Sequence, residues 1–242
     1  MQEKIRGIVL RTVKYGDTGL IVDMFTLQYG RRSFATKVTK GRRTASNASL
    51  WNPLAMVEFD ADIRPNGKLP APKDVRLYHN NLRTLLSPVK STLTLFLAEF
   101  LTYALKSETE NETLYSYLEI SLQWLDSAES DFANFHLVFL MRLTRFLGIY
   151  PNLDSVSPLD FFDMESGCFC KARPYHPNYL NPDDARRIPQ LFRMNYDTMR
   201  LFRMSRTDRW KILATLNAYY RLHIPGFPEL KSLDVLHDVF DN

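Results

Sequence analysis

An α+β fold, a small β-barrel followed by an α-helical module, is predicted for this 242-residue chain by three observations. The first 80 residues carry five short runs of apolar and polar residues separated by turn chemistry, the pattern of a small barrel. From Asn81 onward the apolar residues recur at helical spacing. Charge divides at the same place. Residues 1–80 hold 14 Lys and Arg against 7 Asp and Glu, and residues 81–242 hold 17 against 20. A basic first third on a mildly acidic remainder suggests two modules, 1–80 and 81–242, with different partners.

The strands are expected in this order. IRGIVLRTVKY alternates over several positions, and Tyr15-Gly16-Asp17 turns it into TGLIVDMFTLQYG. RRSFATKVT is the third run. LWNPLAMVEFDADI is the fourth, with Pro53 near its start marking an edge or a bulge. Arg64-Pro65-Asn66-Gly67 is a hairpin signal, and DVRLYH closes the set. The helices follow. Ser91–Lys106 places Leu93, Phe96, Leu97, Phe100, Leu101, Ala104 and Leu105 on one wide face, so burial is expected. Glu112–Ser127 repeats the spacing. Asp131 is read as the N-cap of a helix reaching Leu147, with Gly148 after it. Further helices are expected at Asp183–Phe192, Tyr196–Phe202, Asp208–Leu222 and Leu230–Phe240. A short cysteine-bearing insert occupies about 160–180, read as a turn between Glu165-Ser166-Gly167 and Pro174 to Pro177.

Composition excludes some classes. With 45% hydrophobic and 24% charged residues, wholesale disorder is not expected. The apolar stretch STLTLFLAEFLTYAL is interrupted by Thr and Glu and is too short and polar to span a bilayer. MQEKIRGIVL lacks the apolar core of a signal peptide, so a cytoplasmic location is expected. Two cysteines one residue apart offer no disulfide framework, in keeping with a reducing compartment.

The most informative segment lies between Met24 and Val57, where no acidic residue occurs. Arg31, Arg32, Lys37, Lys40, Arg42 and Arg43 fall within 13 positions, with Phe34 among them, Gly30 before the run and Gly41 between Lys40 and Arg42. On a strand, Arg32, Phe34 and Thr36 share one face and Arg31, Ser33, Ala35 and Lys37 the other. Lys40-Gly41-Arg42-Arg43 then falls in a loop rich in small polar residues. A basic loop beside a strand with an aromatic is how small barrels hold single-stranded nucleic acid. The plainer reading is a solvated charged face with Phe34 in the core. Six cations without an acidic neighbour favour a polyanion, and alternation alone leaves Phe34 open between core and stacking.

A second basic set comprises Arg186, Arg187, Arg193, Arg200, Arg203, Arg206, Arg209 and Lys211, interrupted by Asp197 and Asp208. Arg200, Arg203 and Met199 adjoin Leu201, Phe202 and Met204, and Arg206 follows; the arginines Arg200, Arg203 and Arg206 are grouped together. They are candidates for an acidic, apolar-tipped peptide or a second strand, against the alternative of arginines paired within the helical module. Cys168-Phe169-Cys170 with His176 is a poor zinc set, because structural zinc wants a second ligand pair. No nucleotide-binding, metalloprotease or nucleophile-elbow motif occurs, so neither a cofactor nor a catalytic residue is assigned. Asp60 and Asp62 alternate on one strand, as a nuclease metal site does, but a single carboxylate pair is weak evidence. A metal-dependent nucleic-acid enzyme and an RNA-binding barrel remain as alternatives to a DNA-binding protein.

The order of these pieces resembles the bacterial RecO recombination mediators. The resemblance rests on IRGIVLRTVKYGDTGLIVDMFT, then GRRSFATKVTKGRR, FLMRLTRFLGIYPNLDSV, the insert opening FFDMESGCFC, and the ending YYRLHIPGFPELKSLDVL. It implies an OB-fold followed by a helical domain, and no enzymatic activity. It implies binding of single- and double-stranded DNA and strand annealing in recombinational repair of DNA damage at the bacterial nucleoid. The implied partners are RecR and the tail of single-stranded-DNA-binding protein, with RecA served indirectly. Gly30, Lys40, Gly41, Arg42 and Arg43 match the family's glycine-started strand and basic loop. Many members of that family bind zinc through two C-x-x-C pairs. Only Cys168 and Cys170 stand here, with Lys171-Ala172-Arg173 following, so the metal is expected to be lost.

Overall fold

The computed structural model describes residues 2–37, 49–63, 68–154 and 156–241. Two compact units are present, one of residues 1–127 with 230–240 and one of 128–229. In the first, β1 (Glu3–Tyr15), β2 (Gly19–Thr26), β3 (Gly30–Lys37), β4 (Met56–Ala61) and β5 (Lys73–His79) form one antiparallel sheet in the order β3-β2-β1-β4-β5. The order is that of an OB-fold barrel, and its open edges approach where the Ala35 amide donates to the Pro70 carbonyl at 3.0 Å. The expected hairpin signal Arg64 to Gly67 lies outside the described residues. Pro53 stands ahead of β4, which pairs on both sides and is not an edge.

Alternation builds the barrel core. Ile5 and Val9, Val22 and Met24, Phe34, and Val57, Phe59 and Ala61 are buried together. Gly7 continues the inward row of β1, where an added β-carbon would stand 3.1 Å from the Met24 sulfur. A bulge between Val9 and Arg11 then shifts the register of β1 against β2. The opposite face is not simply polar. Ile8, Phe25 and Met56 are also fully buried, because helices cover that part of the sheet. These are α1 (Leu82–Leu86), α2 (Pro88–Ala104) and α3 (Glu112–Ser127). Phe25 stacks on Tyr115 of α3 at 6.3 Å, and the Tyr78 and Tyr115 hydroxyls meet at 2.9 Å.

Ser87 starts α2 by accepting from the Lys90 amide, with Pro88 in the first turn, three residues earlier than spacing suggests. The last helix, α8 (Ser232–Asp241), belongs to the first unit. Glu99 of α2 accepts from the Lys231 and Ser232 amides at 3.1 and 2.8 Å and supplies the N-terminal cap from a distance.

The second unit is built on α4 (Phe135–Phe146), which packs against α6 (Arg187–Arg193) and α7 (Arg206–His223). Asp131 is not the N-cap of α4; its φ of 62° is left-handed and the helix begins four residues later. Ser205, with Asp208, forms a capping box that starts α7. The short α5 (Pro182–Ala185) precedes α6, and the expected helix Tyr196–Phe202 shrinks to a 3₁₀ turn at Met199–Leu201. The insert is a sheet rather than a turn. β6 (Phe161–Asp163), β7 (Cys168–Cys170) and β8 (Tyr179–Leu180) pair in the order β7-β6-β8. Phe162 packs on Phe169 and Tyr219, and the Tyr219 hydroxyl donates to the Ile149 carbonyl at 3.0 Å.

His136 of α4 is buried, and burial with the nearby Arg209 charge holds its pKa down to about 3. An imidazole in the unfolded chain takes its proton near pH 6.5. The folded state therefore binds fewer protons between these values, and stability contributed by neutral His136 falls as pH drops below about 6.5. The expected slope reaches about 1.4 kcal/mol per pH unit. Urea midpoints for the wild type and His136→Gln, compared at pH 7.5 and 5, check this: the variant should show the shallower loss.

Candidate nucleic-acid interface

The barrel's cations fall into two groups. Some hold buried carboxylates. Glu58 of β4 accepts from Arg76 and from Arg6 Nε at 3.2 Å, and Lys4 approaches to 3.7 Å; these cations hold its carboxyl below the usual range. Asp23 of β2 is the second such centre. It accepts from Arg11 at 2.8 Å, from Arg31 at 3.0 Å and from the Ser33 hydroxyl. Burial pushes the Asp23 carboxyl up, but these donors together leave it below its ordinary value.

Arg31 is thereby corrected as a site residue. Its side chain is only 14% exposed, and its other guanidinium nitrogen donates to the Thr102 carbonyl at 2.8 Å. Its amide donates to the Glu108 carbonyl at 3.0 Å, so β3 is clamped to the chain between α2 and α3. Gly30 makes that approach possible: at φ 61°, a β-carbon there would stand 2.2 Å from the Thr109 carbonyl carbon. Phe34 is corrected as well. It is 0% exposed and meets Phe59 edge-on at 4.9 Å, so its ring offers no face to a base.

The other cations face solvent. Arg32 is exposed with its guanidinium 6.0 Å above the Tyr29 ring. Lys37 is exposed and forms no ion pair among the described residues, and the same holds for Lys14 of β1. Lys40, Arg42 and Arg43 lie outside the described residues, in the segment that continues from Lys37. One exposed aromatic was missed by the sequence reading. Tyr15 ends β1 at 71% exposure, at a strand end and turn to which the sequence reading assigned no site.

In the second unit Arg200, Arg203 and Arg206 are all exposed, and Leu201 between them is 67% exposed. The alternative of paired arginines holds for Arg187, which donates to Asp208 at 2.7 Å. Arg200 and Arg203 form no ion pair among the described residues. In the insert, His176 lies 3.2 Å from Asp163 and 3.5 Å from Glu165, while Cys168 donates weakly to the Ser166 carbonyl. No group of three or more His, Cys, Asp or Glu placed to hold a metal ion occurs among the described residues. Asp60 stands in register between Lys4 and Lys73 on the neighbouring strands. No helix among the described residues is long and apolar enough to cross a membrane.

A five-stranded barrel in this strand order, with solvent-exposed cations and helices after it, is a protein of the oligonucleotide-binding-barrel class. Residues 1–80 match the family model described as Recombination protein O N terminal, and residues 85–234 match Recombination protein O C terminal. The chain belongs to the Recombination protein O family. Among its relatives, the DNA repair protein RecO of Bacteroides fragilis is 50% identical over 242 residues, covering 100% of both chains. That of Phocaeicola vulgatus is 50% identical over 241 residues, covering 99% of this chain and 100% of its own. That of Porphyromonas gingivalis is 34% identical over 241 residues, covering 98% of each.

Proposed function

We propose that this protein is a non-enzymatic mediator of recombinational DNA repair that binds single- and double-stranded DNA and anneals complementary strands. The observation that carries the reading is full-length kinship with proteins named for DNA repair in a chain whose barrel presents unpaired cations beside an acid-free segment. The mechanism is electrostatic. Arg32 and Lys37, continued by Lys40, Arg42 and Arg43, neutralise phosphates, lower repulsion between two strands and let their bases pair. No proton or group transfer is required. Arg200, Arg203 and Arg206, with Leu201, form a cationic and apolar surface suited to an acidic, apolar-tipped peptide such as the tail of single-stranded-DNA-binding protein. RecR is the second partner, and RecA is loaded as the outcome. The place of action is the bacterial cytoplasm, at the nucleoid.

Strand annealing over a salt series, with bare strands and with strands coated by single-stranded-DNA-binding protein, tests this reading. Annealing should fall steeply with salt and persist on coated strands. Annealing absent on bare strands at low salt would exclude the DNA role, and loss on coated strands alone would exclude the tail contact.

A further inference from the structure

Buried Phe34 leaves the cationic face without the aromatic that single-strand binding usually employs. The strand register supplies another. Tyr15 pairs with Gly19, and Gly19 pairs with Lys37, so the three stand in one row across β1, β2 and β3. Adjacent strands lie about 4.8 Å apart, which puts Tyr15 and Lys37 about 10 Å apart at the backbone. Between them Gly19 is bare: a β-carbon there would stand 2.3 Å from the Tyr15 carbonyl oxygen and 3.6 Å from Tyr15 Cδ1. The Tyr15 ring thus borders the space that any side chain at Gly19 would fill, and it remains 71% exposed.

The surroundings match one class of ligand. Along the same face of β1, two and four residues back, are Val13, 44% exposed, and Arg11, whose side chain is 51% exposed even while it holds Asp23. Lys37, exposed, closes the row on that face, whereas Lys14 lies on the other face of β1. An exposed aromatic with an apolar neighbour, edged by a lysine that holds no acid among the described residues, fits an unpaired nucleobase on the ring and its phosphate on Lys37. A duplex offers no free base face at this point.

We infer that Tyr15 is the base-stacking residue of this barrel, with Lys37 holding an adjoining phosphate of a single strand. The inference rests on the nucleic-acid reading above and adds to it a contact with bases. The test compares the wild type, Tyr15→Ala and Tyr15→Trp on a thymine homopolymer and on an abasic strand of equal length, over a salt series. Tyr15→Ala should bind the thymine strand about tenfold more weakly. Its affinity for the abasic strand and its salt slope should match the wild type, and Tyr15→Trp should retain the thymine affinity. Unchanged thymine binding by Tyr15→Ala, or an equal loss on both strands, overturns the stacking role while leaving DNA binding intact. A wild type that binds neither strand removes the DNA reading itself.

Discussion

Replacing Lys40, Arg42 and Arg43 together by Glu is expected to weaken single-strand binding on the order of 100-fold at about 0.1 M salt. Each lost phosphate contact lowers the slope of log affinity against log salt by about 0.7, so three should flatten it by about 2. The reversed charges add repulsion at every salt concentration. Annealing should be lost with binding, since both depend on neutralised phosphates. The thermal melt should change little, because the described core of the barrel is built from apolar side chains on its strands. Titration of a labelled strand at several salt concentrations, with a melt on the same samples, reads both quantities. A loss below about fivefold with an unchanged slope would exclude these three residues from the DNA path.

Asp23→Ala is expected to act in the opposite manner, on stability and not on salt dependence. Asp23 is 4% exposed and, among the described residues, is the only carboxylate paired with Arg31, itself a side chain only 14% exposed. Removing it strands a guanidinium beneath the chain between α2 and α3 and also leaves Ser33 without its acceptor. Breaking a buried pair of this kind costs about 3–5 kcal/mol. For a chain of this size that corresponds to a drop of roughly 10 °C in Tm. The double variant Asp23→Ala/Arg31→Met should recover part of the loss, because no uncompensated charge remains. Equal melts for the single and double variants would show that Arg31 is not held by this pair.

The contrast between these two experiments follows from one strand. Arg31, Arg32 and Lys37 look equivalent as letters in an acid-free run. Alternation separates Arg31 and Lys37 from Arg32 and Phe34, and both groupings hold in β3. What alternation does not contain is the partner across each face. Phe34 meets Phe59, which is 25 residues away, and Arg31 meets Asp23 and Thr102. Local pattern carries no information about which end of a strand is roofed by helices. The same limit hid the burial of Phe25 and the exposure of Tyr15, since both depend on where α2 and α3 cover the sheet.

Helices were legible where period and cap agree. Glu112–Ser127 is found with its expected bounds. Asp131 misled because a capping residue type appears in a left-handed turn as readily as at a helix start. Ser205, three residues before Asp208, was the available signal for α7. The insert was read as a turn because its strands span two or three residues each, too short for alternation to register.

By itself the sequence determined the α+β class, the succession of strands and helices, the concentration of positive charge in the first 80 residues and the kinship that the order of motifs carries. These are properties of composition and of periods of two and 3.6 residues, which are local. Tertiary structure alone decided which cations are free. Asp23 and Glu58 draw Arg11, Arg31, Arg6 and Arg76 into ion pairs from other strands, and Lys14 and Lys37 are left to solvent. Charge acts over distances in space, not along the chain, so a cation's availability is settled only when the fold has chosen its neighbours.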